Sequence, residues 1–220
     1  MYQVRVRGDF PSQAENAIIA LSLVEEAPRR WEDMPGDGRL VLGVDVARFG
    51  DDETVIFPVR GKKALSPIVL RGLDAVQVAG KVLEVARELA IPGELPLVKV
   101  DSIGVGSGVA DFLRYRSQVE CVGVNVANAA TVKEYALLRD QLWFGVQKWP
   151  KEGGAIPPDP KLEAELVAPT YAFDLRGRIK VEPKAKIKER LRRSPDRADA
   201  LALAVGPLLP GGELRISWLW

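Results

Sequence analysis

Two aspartates end stretches of the chain that are typical of buried strands. Asp45 closes LVLGVD and Asp101 closes LPLVKVD. A carboxylate is costly in such a place unless a positive group meets it. If a strand–helix–strand connection sets these two strands parallel and side by side, both carboxylates reach the same edge of the sheet. Two ionised carboxylates there repel each other, and a divalent cation relieves that repulsion better than one lysine does.

Further acids lie where they can join this pair. Asp196 and Asp199 are three residues apart at the start of the last predicted helix, so they share a face. Asp196 is a common type of first-turn residue, whereas Asp199 belongs to the apolar run DALALAV and is expected to face inward. Asp51 and Asp52 are either acids of the same site or simple turn residues. Clustered carboxylates suit Mg²⁺ or Mn²⁺, and two such ions about 3.5–4 Å apart hydrolyse phosphodiesters.

Residue types that the chain lacks narrow the chemistry. The 220 residues contain no histidine, which excludes Ser-His catalysis, an HNH-type site and a His-liganded metal. The one cysteine, Cys121, excludes an internal disulfide and a CxxC zinc site, and is expected to be an inert buried thiol. Neither a signal peptide nor an apolar run of about 20 residues is present, so we expect an intracellular protein without a membrane segment.

The pattern of elements predicts an α/β fold with a mixed central sheet, three antiparallel strands followed by parallel strands, and helices on both faces. Residues 1–38 are predicted to be a lead-in helix and linker, and residues 39–220 to be the domain itself. Helices are predicted in DAVQVAGKVLEVARELA, SIGVGSGVADFLRYR, TVKEYALLRDQLWFGVQKW and DPKLEAELVA. A hairpin in TYAFDLRGRIKVEP and a final helix capped by Ser194, with Pro195 at its first position, complete the chain.

A basic stretch precedes the last helix. RGRIKVEPKAKIKERLRR carries nine Lys or Arg against two Glu. This stretch is either a solvated face of a hairpin and helix or a surface that meets phosphates. Its basic residues are Arg176, Arg178, Lys180, Lys184, Lys186, Lys188, Arg190, Arg192 and Arg193.

Three stretches together resemble the C-terminal nuclease domain of tailed-phage large terminases, the DNA-packaging motors of these viruses. They are GVDVARFGDDETVI, VDSIGVGSGVADFL and LEAELVAPTYAFDLRGRIKVEPKAKIKERLRRSPDRADALALA. The resemblance spans about residues 3–207 and implies an RNase H-like fold. It also implies an Mg²⁺- or Mn²⁺-dependent endonuclease that cuts concatemeric double-stranded DNA with two ions per site.

The resemblance also implies roles for single residues. The metal-binding acids of the family fall on Asp45, Asp101 and Asp199, and Asp51 lies where some members use a further acid. Asp196 is expected in the second shell of the site, and the nine basic residues are expected to contact the DNA backbone. The implied partners are an N-terminal ATPase domain, a portal and a small terminase subunit, in the cytoplasm of an infected bacterium.

One departure and three alternatives accompany this interpretation. The chain contains no GxxxxGK[ST] phosphate-binding loop, so we expect no ATP site here and take residues 1–38 as the tail of an ATPase domain. A Holliday-junction resolvase or transposase-type nuclease would use the same acids on the same fold. An actin- or hexokinase-type ATPase fragment also places an aspartate after its first strand, but it needs a second lobe. The third alternative is a non-catalytic interaction module, in which the acids are structural and the domain docks on a portal or capsid partner.

Overall fold

A six-stranded mixed sheet forms the centre of this computed structural model, which describes residues 16–47 and 53–207. The strands are β1 (Leu40–Asp45), β2 (Thr54–Arg60), β3 (Lys63–Ala64), β4 (Ile68–Leu70), β5 (Leu97–Asp101) and β6 (Glu120–Val124). Their order is β3-β2-β1-β5-β6, with β4 paired to β2. β1 pairs with β2 antiparallel and with β5 parallel, and β5 pairs with β6 parallel.

Helices cover both faces of the sheet, each over its own apolar core. The helices are α1 (Leu21–Arg29), α2 (Ala75–Leu89), α3 (Val105–Arg114), α4 (Leu138–Lys151), α5 (Pro160–Val167), α6 (Lys184–Leu191) and α7 (Asp196–Val205). Leu40, Leu42 and Val44 of β1 point to the face beneath α2 and α3. On the other face α1, α4, α5 and α7 surround a core that includes Phe57 and Trp143.

The sequence prediction of a mixed sheet with helices on both faces is confirmed. The first and fourth predicted strands, now β1 and β5, are adjacent and parallel. The predicted hairpin is present as β7 (Tyr171–Phe173) and β8 (Ile179–Val181), in a two-stranded sheet of their own. None of the described helices is long and apolar enough to cross a membrane.

Two predicted helix starts were wrong. The helix expected from residue 131 begins at Leu138, because the preceding backbone bonds elsewhere: Tyr135 bridges to Ile179 and the Ala136 amide donates to the Ile179 carbonyl. The last helix begins at Asp196, and Ser194 provides no side-chain cap for it.

Residues 16–31, expected to belong to a lead-in, pack closely against the core of the domain. Val24 and Ala27 of α1 are buried in the same apolar core as α4 and α5. Arg30 donates to the Pro150 and Gly154 carbonyls, and the indole of Trp31 donates to the Ala64 carbonyl. Ser12, which the sequence predicts to cap the lead-in helix, lies outside the described residues. The origin of residues 1–38 in an ATPase domain stays a prediction.

An ion pair fixes the end of β1 that is farthest from Asp45. Arg60 Nη2 lies 2.9 Å from Glu94 Oε2, and both side chains are 9% exposed. Glu94 also accepts hydrogen bonds from the Leu40 and Ile91 amides. The hydrogen bonds from Arg60, opposed by burial and helped by these amides, lower the pKa of Glu94 from its usual 4.5 to about 2.

We expect Glu94→Gln to lower the free energy of unfolding by about 3 kcal/mol at pH 7. Since the pKa of Glu94 is lower in the folded state, its stabilisation is present above about pH 4.5 and is lost as the pH falls towards 2. Urea unfolding of both proteins at pH 7 and pH 3 should show the difference shrinking in acid. A difference independent of pH would contradict this account.

Candidate metal centre

The two strand-end acids lie level with each other on adjacent strands. The parallel register pairs Val44 with Val100, so Asp45 and Asp101 follow at the same edge of the sheet. Val44 and Val100 point into the core beneath α2. Because side chains alternate along a strand, Asp45 and Asp101 point to the opposite face, where α7 lies.

Helix α7 brings two more acids to this edge because it lies directly on β1. The contact depends on Gly43: a Cβ there would stand 2.0 Å from the Ala200 carbonyl oxygen and 2.6 Å from the Ala204 amide nitrogen. Any other residue would push the helix away. Asp196 and Asp199, in the first turn of α7, thereby reach the end of β1.

Three of these carboxylates converge on one ammonium group. Lys184 Nζ lies 2.9 Å from Asp199, 3.1 Å from Asp196 and 3.3 Å from Asp45. Lys184 is the first residue of α6 and follows the β7–β8 hairpin directly. Its side chain is 41% exposed, whereas the three acids are mostly buried. One cation thus serves three carboxylates at the rim of the sheet.

The electrostatics of this cluster show an excess of negative charge. Burial raises the pKa of Asp45 to about 8; Lys184 opposes this rise, while Asp199, Asp196 and Asp101 add to it. Burial by itself would lower the pKa of Lys184, but Asp199, Asp45 and Asp196 raise it well above its usual range. Burial also raises the pKa of Asp101. Lys184 therefore stays charged and does not balance the acids around it.

Hydrogen bonds from neighbouring elements orient the remaining carboxylate oxygens. The indole of Trp143 in α4 donates to Asp199 Oδ1 at 3.2 Å. The Glu53 amide donates to Asp196 Oδ2 at 3.1 Å, and the Ile103 amide donates to Asp101 Oδ1 at 3.1 Å. The side chains are therefore held in place from α4 and from the backbone of two loops.

These residues fit a divalent cation, with Lys184 standing in for it. Within residues 16–47 and 53–207, no three acidic or cysteine side chains form a preassembled metal cage. Instead, the ammonium of Lys184 lies at the point on which three of the carboxylates converge. Carboxylate oxygens are the ligands that Mg²⁺ prefers. A cation of charge +2 would balance this cluster better than an ammonium of charge +1.

Two of the other candidate residues, Asp196 and Lys184, lie closer to the centre of the acid cluster than the sequence predicts. Asp51 lies outside the described residues. Asp196, expected in the second shell, contacts the same ammonium as Asp45 and Asp199. Lys184, expected among the DNA contacts, lies inside the acid cluster.

Several of the basic candidates are engaged in ion pairs within the protein. Arg178 pairs with Asp174, Arg190 with Glu182, and Arg193 with Glu165. The remaining basic candidates, Arg176, Lys180, Lys186, Lys188 and Arg192, have exposed side chains.

Sequence reasoning missed three side chains that bond to the cluster or to the ends of α7, the helix that carries two of its acids. Trp143 is buried among apolar residues, and its indole also bonds to Asp199. One feature of the sequence could have indicated Lys99 on β5, because it is a lone lysine in the apolar strand LPLVKVD. No feature indicated Glu165 in α5, since an acid on an amphipathic helix is normally solvated.

Solved structures with a similar fold include nuclease domains of phage large terminases. The nuclease domain of the large terminase subunit gp2 of bacterial virus Sf6 is 17% identical, with a TM-score of 0.66 over 88% of this chain and 100% of that one. The large terminase nuclease from thermophilic phage G20c with bound magnesium is 17% identical, with a TM-score of 0.62 over 87% and 97%. The chain has their fold. This confirms the expected RNase H-like architecture.

A third such structure, the large terminase nuclease domain of Thermus phage P74-26, is 15% identical, with a TM-score of 0.54 over 86% of this chain and 94% of that one. No family model and no curated protein matches the chain. At these identities the likeness is one of fold.

We expect Lys184→Ala to raise the affinity for Mn²⁺ about tenfold, since the carboxylates no longer hold a competing cation. In EDTA the variant should melt at a lower temperature than the wild type, because three buried acids then repel one another without a counter-charge. Calorimetric titration with Mn²⁺ and melting curves measure both effects.

Lys186→Ala is the matched control for this variant. Lys186 lies in the same helix with an exposed side chain, and no ion pair joins it to a described residue. An Mn²⁺ affinity that stays unchanged or weakens in Lys184→Ala would contradict the interpretation of Lys184 as a stand-in cation.

Proposed function

We propose that the protein is a metal-dependent endonuclease that cuts concatemeric double-stranded viral DNA during genome packaging. The observation that carries the proposal is the convergence of Asp45, Asp196 and Asp199, from a strand and a helix, on a single cation. The fold supports it, since the similar structures are phage terminase nuclease domains. Related domains have been solved with manganese, magnesium, cobalt and calcium.

Asp45, Asp101 and Asp199 are the proposed ligands of two Mg²⁺ or Mn²⁺ ions, with Asp51 as a further candidate and Asp196 beside them. When bound, such ions supply an activated water and stabilise the leaving oxygen of the phosphodiester. The sheet holds two of the carboxylates rigidly, and α7 holds the third. Trp143 fixes the orientation of Asp199 through its indole hydrogen bond. Lys184, once displaced, is a cation beside a polyanionic substrate.

The proposed DNA surface extends from the acid cluster along α6 and the β7–β8 hairpin. Arg176 lies at the hairpin tip beside Leu175, which is fully exposed. The tip is rigid, because Asp174 accepts hydrogen bonds from the Arg176 and Arg178 amides. Arg176, Lys180, Lys186 and Arg192 have exposed side chains and form no ion pair with a described residue, so they are the preferred backbone contacts of this surface.

The similarity in fold to terminase nuclease domains also supports a proposal for the larger assembly to which this chain would belong. Residues 39–220 would form the nuclease of a large terminase, joined through residues 1–38 to an ATPase domain. That protein would act with a portal and a small terminase subunit in the cytoplasm of an infected bacterium. This part of the chain would itself bind no ATP.

The test of the activity is cleavage of a supercoiled plasmid in EDTA, Mg²⁺ and Mn²⁺. We expect cleavage with either metal and none in EDTA. Asp45→Asn and Asp199→Asn should each lower the rate by at least about 100-fold, because each removes a metal ligand from a built site. Their folds should be retained, since the substitution keeps the shape of the side chain and relieves repulsion within the cluster.

Asp111→Asn is the matched control for the two acids. Asp111 lies on the surface of α3, in an exposed ion pair with Arg114. It should cut at the wild-type rate. Cleavage by Asp45→Asn or Asp199→Asn at the control's rate would remove that residue from the site, and cleavage in EDTA would contradict metal dependence.

For the DNA surface we expect the triple variant Arg176→Ala, Lys180→Ala, Lys186→Ala to bind duplex DNA more weakly. The slope of log K against log salt concentration is negative, and each lost phosphate contact should reduce its magnitude by about 0.9. Fluorescence anisotropy over a range of salt concentrations measures this slope. The triple variant Lys62→Ala, Arg114→Ala, Lys148→Ala carries the same charge change at other exposed positions. Equal slopes for the two triples would contradict the assignment.

A further inference from the structure

Helix α7 is held at its N-terminus by a buried acid from another helix. Glu165 of α5 is 2% exposed. One of its oxygens, Oε2, accepts hydrogen bonds from the Arg197 amide at 2.9 Å and from the Ala198 amide at 3.1 Å. These are first-turn amides that have no partner within the helix. Glu165 thus provides the cap that Pro195 and Ser194 do not.

The other end of α7 is held by a buried base from the sheet. Lys99 of β5 is 6% exposed. Its ammonium donates to the Ala204 carbonyl at 3.3 Å and to the Gly206 carbonyl at 2.5 Å. These carbonyls belong to the last turn of the helix and to the residue that follows it. Lys99 therefore binds the end of α7 that is farthest from the acid cluster.

The signs of the two charges match the helix dipole, with the acid at the positive end and the base at the negative end. Burying both charges is costly, and apolar residues would fill the same volume at lower cost. The charged side chains at the two ends of α7 define its position along the helix axis. A hydrogen bond to a particular amide or carbonyl is broken when the helix shifts along that axis, whereas apolar packing allows such a shift.

The position of α7 matters because its acids must meet those of the sheet. Lys99 is two residues before Asp101 on β5 and faces the same side, as Gly43 does relative to Asp45 on β1. Gly43 sets how closely the helix approaches, and the two end contacts set where it stops along its axis. A slide of α7 would move Asp196 and Asp199 while Asp45 and Asp101 stayed in place.

We propose that Lys99 and Glu165, together the helix clamp, are positioning residues that fix Asp199 against Asp45 and Asp101 for metal binding. The inference rests on the proposed function, since it takes these acids as the metal ligands. The clamp residues act through α7; the hydrogen bonds of Glu165 go to Arg193, Arg197 and Ala198, and those of Lys99 to Ala204 and Gly206.

The test compares the Mn²⁺ affinity of the whole chain with that of Lys99→Met and Glu165→Ala, by calorimetric titration of folded protein. We expect each variant to bind Mn²⁺ about 10- to 100-fold more weakly, the range found when groups supporting metal ligands are removed. Glu165→Gln should lose less, because both amides bond to one oxygen and glutamine keeps an oxygen acceptor. If Glu165→Ala folds poorly, the Mn²⁺ affinity of Glu165→Gln is measured in its place.

Glu94→Gln is the control that separates positioning from stability. Glu94 belongs to the ion pair at the opposite end of β1, so its loss should lower the melting temperature and leave Mn²⁺ affinity unchanged. If the clamp variants also melt lower but bind Mn²⁺ as the wild type does, the clamp is overturned and the proposed function stands. A wild type that binds no Mn²⁺ overturns the proposed function and the clamp with it.

Discussion

The structure around the sheet edge depends on the repulsion between carboxylates that have been taken out of water. Asp45, Asp196 and Asp199 lie close enough to share one ammonium, and Asp101 is near enough to raise the pKa of Asp45 further. Such an arrangement is unstable without a counter-charge. Lys184 supplies one positive charge to an excess of negative ones. The cluster is therefore built to receive more positive charge than the protein itself provides.

The rest of the fold supports that cluster. The parallel pairing of β1 and β5 sets two acids level. Gly43 lets α7 lie on the sheet without an intervening side chain, and Lys99 and Glu165 hold the helix by its ends. Trp143 reaches from α4 to orient Asp199. Positions separated by more than 150 residues in the chain, such as Asp45 and Asp199, are thus brought to one place by strand pairing, a close helix–sheet approach and side chains that reach between elements.

Much of this could be predicted from the sequence because the signals are local. Asp45 and Asp101 end apolar strands, and one right-handed crossover brings such strands together. The mixed sheet followed from the order of strands and helices. The start of α4 could not be predicted, since residues 131–137 look helical and are drawn away by bonds to β8. The cap of α7 comes from Glu165, which is remote in sequence, so the local Ser194 signal misled.

The position of Lys184 within the acid cluster also could not be predicted from the sequence. In a stretch with nine basic residues nothing distinguishes the one that turns inward. Its position follows from α6 beginning beside the end of β8 and pointing its first side chain at the acids. The same stretch also contains Arg178, Arg190 and Arg193, whose charges are used within the fold. Charge density along a chain therefore overstates the charge that is left unpaired on the surface.

The most direct test of the account is the anomalous scattering from a crystal of the protein grown with Mn²⁺. The account predicts manganese peaks bounded by the carboxylates of Asp45, Asp101 and Asp199, with the ammonium of Lys184 moved away from the point where the acids converge. A map in which Lys184 still bridges Asp45, Asp196 and Asp199, with no manganese among them, would contradict it.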